Sequence, residues 1–245
     1  MLRFRSLLFT CGQWLSTILF APFCLLVFPL PFVLRYRFIS QWARFNLWWL
    51  EKTCHLGCDI EGLENIPDRN GIVLCKHQSA WETLALQAVF RPQVWLLKRE
   101  LLWIPFFGWG LAMLQPIAID RASGRKALKQ LREQGEQRLQ AGSWVVIYPE
   151  GTRVAPGQHR KFAPGGAMLA AHSGYPVVPV AHNAGLYWPR RSFMKYPGRI
   201  RLVIGPAIDS RGRSAADINE QAEQWIEQTV ERISRPESQG RLGQN

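Results

Sequence analysis

Residues Gly71 to Glu82 read GIVLCKHQSAWE, an apolar run followed at once by a polar turn and the start of a helix. The run through Lys76 is typical of a strand buried on both faces, because its apolar side chains follow one another without alternation. Ser79 then opens a pattern of helical spacing that continues to Phe90. A strand joined directly to a helix is the building unit of α/β folds.

The same alternation continues along most of the chain. Strands are predicted at Cys58–Glu61, Gly71–Lys76, Val94–Leu97, Pro116–Ile119, Ser143–Tyr148, Val177–Ala181 and Arg199–Ile204. Helices are predicted between them, at Ser79–Phe90, Leu101–Leu114, Gly124–Gln140, Gly165–Ser173 and Ser214–Ile233. This order indicates an α/β domain over residues 57–235, with a mixed, partly parallel sheet flanked by helices. Residues 236–245 are predicted to form a polar tail.

The amino-acid composition excludes some classes of protein and favours an anionic binding partner. With 245 residues, 47% of them hydrophobic and 20% charged, the chain is too apolar to be a disordered or highly charged tail protein. Its 30 Lys and Arg against 18 Asp and Glu give a net charge of +12, which favours an anionic partner. The odd number of cysteines, five, fits a reducing compartment better than a disulfide framework.

Residues 1–56 are predicted to form a helical segment that attaches to a membrane. From Ser6 to Leu34 there are 29 residues without a formal charge, enough for a helix to cross a bilayer core of about 30 Å. Pro22, Pro29 and Pro31 interrupt this stretch. Because an interior proline kinks a helix, both a kinked span and a helix that dips into one leaflet fit the sequence.

A tryptophan-rich helix is predicted next, at Ile39–His55. Its aromatic residues suit the membrane–water boundary, and they suit equally well a helix packed on the domain behind it. Arginines flank the apolar stretch on both sides, at positions 3 and 5 and at 35, 37 and 44. Their distribution leans toward a cytoplasmic location of the domain.

His77 follows the first predicted strand at the end where α/β sheets bind ligands. Histidine suits general-base catalysis near neutral pH, and a carboxylate on its second ring nitrogen would fix its tautomer. Glu82 can reach it only if His77 lies in the turn before the helix and Glu82 in the first helical turn. Ser79 and Glu82 also match a capping box, in which Glu82 closes the helix start and His77 is a loop residue. Taken alone, the segment favours the capping interpretation.

A second polar cluster follows the predicted strand at Ser143–Tyr148. It consists of Pro149, Glu150, Gly151, Thr152 and Arg153. Arginine offers a bidentate fork to a phosphate, glycine lets the backbone approach, and threonine adds a hydroxyl donor. Arg121 also follows a predicted strand, so the two arginines could clamp a phosphate. The alternative is a surface turn that carries a weak Glu–Arg ion pair.

The remaining histidines offer weaker sites. His55 lies beside Cys54 and Cys58, but no second pair of ligands follows, so no metal site is expected. His182 could line a pocket, although a core or loop role fits it better.

The order and spacing of these motifs resemble the glycerolipid acyltransferases, and in particular the bacterial 1-acyl-glycerol-3-phosphate acyltransferase family. The resemblance covers roughly residues 60–206 and rests on His77-x4-Glu82, Lys98 to Gly108, Ile119-Asp120-Arg121, Glu150-Gly151-Thr152-Arg153 and Val178-Pro179-Val180. Three positions depart from the family pattern. Glu82 replaces the usual aspartate, Ala118 a common aromatic residue, and Val154 the usual serine.

The resemblance implies an enzyme that moves a fatty acyl chain from acyl-CoA or acyl carrier protein to the sn-2 hydroxyl of 1-acyl-glycerol-3-phosphate (lysophosphatidic acid), giving phosphatidic acid. It implies that His77 is the general base and that Glu82 orients its ring. The acceptor phosphate would be bound by Arg121, Glu150, Gly151, Thr152 and Arg153. Lys98 and Pro179 would lie on the donor side or in the pocket. No metal is implied, and no cofactor other than the acyl donor as co-substrate.

Other functions stay open as alternatives. The acceptor could be another lysophospholipid, or the protein could be a membrane-bound thioesterase or lipid hydrolase that uses His77 with Ser79 or Cys75. The positive charge also fits a nucleic-acid-binding module, but no recognition helix or base-stacking motif is evident, so nucleic acid is not an expected partner. The expected partners are membrane lipids and the two substrates. The expected location is a bacterial inner membrane, with the catalytic domain on the cytoplasmic side.

Overall fold

The computed structural model of the chain describes residues 1–120 and 123–235. The helices are α1 (Leu2–Leu26), α2 (Phe32–Cys54), α3 (Trp81–Val89), α4 (Phe107–Met113), α5 (Arg125–Gln140), α6 (Gly165–Ser173), α7 (Ala184–Tyr187) and α8 (Ala215–Ser234). The strands are β1 (Leu56–Glu61), β2 (Ile72–Cys75), β3 (Gln93–Lys98), β4 (Ile117–Ile119), β5 (Trp144–Ile147), β6 (Val177–His182) and β7 (Gly198–Ile204). Each of the seven predicted strands is present, with its ends shifted by at most two residues.

The strands form one mixed sheet in the order β1-β7-β6-β2-β5-β3-β4. All neighbours run parallel except β6 and β7, which pair antiparallel. The predicted mixed, partly parallel sheet flanked by helices is therefore confirmed. Because β6, β2 and β5 are parallel neighbours at the centre, the loops that follow them open at the same edge of the sheet.

The central strands are buried on both faces. Along β2, Ile72 and Leu74 face one apolar cluster while Val73 and Cys75 face the other, as the period of two in a strand requires. Helices α5, α6 and α8 contribute to the first cluster, and α1, α2 and α3 to the second. The unbroken apolar runs in the sequence are explained by this sandwich of helices around the sheet.

The predicted helix at Leu101–Leu114 is wrong as a single element. The chain forms a 3-10 turn at Arg99–Trp103, breaks, and resumes as α4. Pro105 is the cause, because a proline disfavours helical geometry in the residue before it, and Ile104 is extended. Phe106 then takes a positive φ of 63° before α4 starts. The predicted tail at 236–245 lies outside the described residues.

The N-terminal residues form a hairpin of two helices rather than one kinked span. The turn between α1 and α2 falls at residues 27–31, where Pro29 and Pro31 stand, whereas Pro22 is accommodated inside α1. Helix α1 has the length and hydropathy of a membrane-crossing helix, and 22% of its most apolar window is buried. Helix α2 starts seven residues before the predicted helix at Ile39–His55.

Both ends of this hairpin are bonded to the domain. At the base, the backbone N–H of Lys195 donates to Ser6 Oγ over 3.0 Å. At the tip, Tyr36 Oη donates to the carbonyl oxygen of Gln87 at the end of α3, over 3.2 Å. The hairpin therefore lies along the domain. The outward side of α1 is apolar and exposed, at Trp14, Leu15, Leu19, Phe23 and Leu26.

Candidate active site

The loops that follow β2 and β5 are joined directly to each other. The backbone N–H of His77 donates to Glu150 Oε2 over 2.7 Å, although the two residues are 73 positions apart in the sequence. The backbone N–H of Val154 donates a 2.7 Å hydrogen bond to the carbonyl oxygen of His77. The two polar clusters predicted from the sequence thus form one site, because their strands are neighbours.

His77 and Glu82 meet in the way the sequence required. His77 lies in the turn before α3, Glu82 is the second residue of that helix, and His77 Nδ1 is 2.8 Å from Glu82 Oε1. An ionised carboxylate only accepts hydrogen bonds, so Nδ1 carries the proton and Nε2 keeps its lone pair. The ring of His77 is 15% exposed, whereas Glu82 is fully buried. The arrangement is that of a histidine base held by a carboxylate.

The capping interpretation of Glu82 is also realised. Glu82 Oε1 accepts 2.9 Å bonds from the backbone N–H groups of Gln78 and Ser79. Burial raises the pKa of Glu82, but His182, His77 and the Ser79 N–H together outweigh burial, so that its pKa lies below the ordinary value. One carboxylate therefore closes the helix start and orients the ring, and the two interpretations do not compete.

His182, the last residue of β6, lies close to the carboxylate of Glu82. Its ring is fully buried at the end of β6, with Nε2 2.8 Å from the carbonyl oxygen of Lys76 and 3.8 Å from Glu82 Oε2. Nδ1 accepts a bond from the Ala184 N–H, which fixes the proton on Nε2. Burial lowers the pKa of His182 against the raising effect of the nearby Glu82 carboxylate. The core role predicted for His182 is confirmed, while its contact with Glu82 depends on strand order and has no sequence signature.

Tyr148 is a site residue that sequence reasoning missed. Its ring stacks on the ring of His77, with the centroids 4.1 Å apart and the planes 17° from parallel. It is the first residue after β5, at the same sheet edge as His77. Together with Glu82, this stacking leaves the imidazole little freedom to turn.

Lys76 lies in a buried group of charges beneath the site. Its ammonium nitrogen is 2.8 Å from Glu150 Oε1 and 2.6 Å from Glu227 Oε1 of α8. Two carboxylates share one cation, so one of them is poorly compensated. Glu150 is the more buried of the two, and burial raises its pKa to about 7 against the lowering effect of Lys76. This group ties α8 to the turn that carries His77.

A cavity of about 650 Å³ opens beside His77. Near the ring it is lined by Tyr148, Gly151, Thr152 and Arg153. Farther in it is walled by apolar residues from α1, α2, α3, β3 and α4, including Phe20, Ile39, Leu84, Trp95 and Leu111. The volume and the lining suit a ligand that has both a polar group and an apolar chain.

The predicted binding residues take different places around this cavity. Gly151, Thr152, Arg153 and Lys98 line it, and Gly151 has a positive φ of 69°, which favours glycine.

The carboxylate of Glu150 instead faces His77 and Lys76. Pro179 is buried in β6 beside Leu74 of β2. Arg121 lies outside the described residues. Sequence reasoning also missed Arg190 and Arg191, which line the cavity.

Comparison with known proteins agrees with the motifs. Residues 57–183 match the Acyltransferase family. The chain is 51% identical over 209 residues to the 1-acyl-sn-glycerol-3-phosphate acyltransferase of Pseudomonas aeruginosa, covering 84% of this chain and 81% of that protein. It is 31% identical over 219 residues to the chloroplastic 1-acyl-sn-glycerol-3-phosphate acyltransferase BAT2 of Brassica napus, covering 84% of this chain and 61% of that longer protein.

A solved structure shares the whole architecture. The crystal structure of the 1-acyl-sn-glycerophosphate (LPA) acyltransferase PlsC from Thermotoga maritima superposes with a TM-score of 0.79 at 25% identity, over 96% of this chain and 99% of that one. The fold is therefore that of an acyl-transferring enzyme. The chain belongs to the acyltransferase family, and the resemblance predicted from its motifs is confirmed.

Replacing Glu82 by Gln separates orientation from capping. Glutamine still offers an oxygen to the Ser79 N–H but cannot stabilise an imidazolium, so we expect kcat to fall about 100-fold or more with little change in Tm. The same substitution at Glu133, exposed on α5, serves as control. Steady-state kinetics and thermal melts measure both effects. Near-normal turnover with a lowered Tm would show that Glu82 only caps the helix.

Replacing Lys76 by Met tests the buried charges. The variant leaves two carboxylates without their cation, and we expect the free energy of unfolding to fall by about 3 kcal/mol. Adding Glu150→Gln should restore part of the loss, because it removes the uncompensated charge. Lys129→Met breaks only an exposed pair with Glu133 and should cost less than about 1 kcal/mol. Denaturant titrations measure all three, and equal losses for the two lysines would contradict the account.

Proposed function

We propose that the protein transfers a fatty acyl chain from acyl-CoA or acyl carrier protein to the sn-2 hydroxyl of 1-acyl-sn-glycerol-3-phosphate, giving phosphatidic acid. The observation that carries the proposal is the His77–Glu82 pair beside a cavity whose lining is mostly apolar. The names of the relatives support the choice of acceptor.

In the proposed reaction, His77 Nε2 takes the proton of the sn-2 hydroxyl as the oxygen attacks the thioester carbonyl. The imidazolium that forms is stabilised by the carboxylate of Glu82, 2.8 Å from Nδ1. The tetrahedral intermediate then collapses, the carbon–sulfur bond breaks, and the thiolate leaves as a thiol by taking the proton back from His77. The ester is formed without a net change in protons.

Direct transfer is favoured over an acyl-enzyme because the nearby nucleophiles are not accessible. Ser79 is fully buried, and its hydroxyl oxygen accepts a bond from the Trp81 N–H. Cys75 is fully buried, and burial raises the pKa of its thiol well above the ordinary value, which keeps the thiol protonated. The burial of both residues therefore argues against a hydrolase that uses Ser79 or Cys75 as its nucleophile.

The polar and the apolar groups of the substrates would lie in different parts of the cavity. The acceptor phosphate suits the turn at Gly151, Thr152 and Arg153, which lines the cavity and offers a hydroxyl and a guanidinium donor. The apolar wall between the helices suits an acyl chain. Lys98 lines the same cavity, and a role on the donor side stays a prediction for Lys98 and for Pro179.

We also propose that the helical hairpin lies in the membrane surface rather than across it. The bond from the Lys195 N–H to Ser6 holds α1 against the domain at the base of the hairpin, and the bond from Tyr36 to Gln87 holds α2 near its tip. A crossing α1 would take part of the domain into the bilayer with it. Lying in one leaflet, its exposed apolar side would bring the cavity to chains that already reside in the lipid. Attachment at the cytoplasmic face is part of the same proposal.

The catalytic proposal is tested by His77→Ala together with the acceptor requirement of the wild type. We expect the variant to fold normally and to lose about 100-fold or more of kcat. His159→Ala, in an exposed loop, is the matched control. The wild type should release CoA from acyl-CoA only when lysophosphatidic acid is present, as followed by thiol release and product mass. Release of free fatty acid without an acceptor would instead establish a hydrolase.

The membrane proposal is tested by spin labels at exposed positions of α1. Cysteines replace Leu8, Leu15 and Leu26 one at a time, with the exposed Cys11 changed to serine. Residues 8 and 26 are separated by about 27 Å along the helix, so a crossing helix places them at very different depths. We expect similar, shallow depths from oxygen and nickel accessibility in liposomes. A continuous depth gradient along α1 would show that the helix crosses the bilayer.

A further inference from the structure

The charged side chains in the cavity wall are all cationic. Lys98, Arg153, Arg190 and Arg191 line it, whereas no carboxylate belongs to its lining among the described residues. Within the same part of the chain, none of the four forms an ion pair with an acidic side chain. Positive charge that lines a cavity without an acidic side chain as partner is matched to an anionic ligand.

Arg190 stands next to the turn that carries Arg153. Its Nη1 donates to the main-chain carbonyl oxygen of Arg153, which uses one of the five N–H donors of the guanidinium. This contact directs the guanidinium of Arg190 toward the turn at residues 151–153. Its other N–H groups can donate to a ligand. Arg191 follows with a positive φ of 57°, a conformation that a bulky side chain seldom adopts, and it reaches the same cavity.

The loop that bears these arginines is fixed to the first helix. Lys195 is 4% exposed, and its ammonium donates to Thr10 Oγ1 over 3.0 Å. The same ammonium lies 5.2 Å from the ring centre of Phe9 and 5.1 Å from that of Trp188. Both ends of the short segment between Trp188 and Lys195 are thereby held on α1. The segment that carries Arg190 and Arg191 is thus attached to α1, which itself lines the cavity.

We propose that Arg190 and Arg191 complete, with Arg153, a site for a phosphate monoester, and that this site selects the headgroup of the acceptor. The inference rests on the proposed function and deepens it. A phosphate monoester carries a charge of about −1.5 to −2 at pH 7, whereas a phosphodiester carries −1. A cluster of three guanidinium groups favours the more highly charged monoester, and each group can donate in a bidentate manner.

The kinetic test compares Arg190→Ala, Arg191→Ala and the double variant with wild-type protein in mixed micelles. We expect Arg190→Ala to raise the KM for lysophosphatidic acid about tenfold or more and the double variant to raise it further, with the KM for acyl-CoA unchanged. Arg190→Lys, which keeps the charge but loses the fork, should fall between. Arg132→Ala, an equal loss of charge on the exposed side of α5, is the control and should change neither constant.

A binding measurement makes the test independent of turnover. The probes are 1-acyl-2-deoxyglycerol 3-phosphate, which lacks the reacting hydroxyl, and its phosphate methyl ester. Wild-type protein should bind the monoester about tenfold or more tightly than the methyl ester, and the double variant should bind both equally. The same preference in wild type and double variant overturns the proposal. So does a rise confined to the KM for acyl-CoA, which would assign the arginines to the phosphates of the donor.

Failure of the proposed function is recognised separately. If the wild type does not acylate lysophosphatidic acid, the reaction assigned to the protein is wrong whatever the arginines do. If it does so and the variants keep the acceptor KM and the probe preference of the wild type, only the arginine site is wrong.

Discussion

The carboxylate of Glu82 is the contact on which the rest of the site depends. It is fully buried, and it accepts bonds from the ring of His77 and from the backbone N–H groups of Gln78 and Ser79. A charge so far from water is tolerated only where hydrogen bonds replace its hydration. The bonds that satisfy the carboxylate are the same bonds that shape the turn, start α3 and set the tautomer of the histidine. Stability of the loop and orientation of the His77 ring therefore have one cause.

The fold supplies the neighbours that make this arrangement work. Because β2 lies between β6 and β5, the turn that holds His77 is enclosed by His182 on one side and by Tyr148 and Glu150 on the other. Helix α8 contributes through Glu227, although it lies beyond residues 57–183 that match the family. The C-terminal helix is thus part of the support of the site.

Features that depend on one short segment of the chain could be predicted from the sequence. The buried strands were predicted from their apolar runs, and the condition under which His77 and Glu82 meet followed from helix geometry alone. The contacts of Lys76 with Glu150 and Glu227 and the position of Arg190 were out of reach, because they depend on which strands become neighbours. The helix at Leu101–Leu114 was mispredicted because its apolar residues have helical spacing on both sides of Pro105, and this proline interrupts the helix.

The central claim is that Glu82 keeps the proton of His77 on Nδ1 and leaves Nε2 free to act as the base. Nitrogen-15 NMR of histidine-labelled protein measures this directly, with the His77 signals assigned by their loss in His77→Gln. We expect the neutral ring to carry a proton on Nδ1 and none on Nε2. A neutral ring with its proton on Nε2, or an even mixture of the two tautomers, would contradict it.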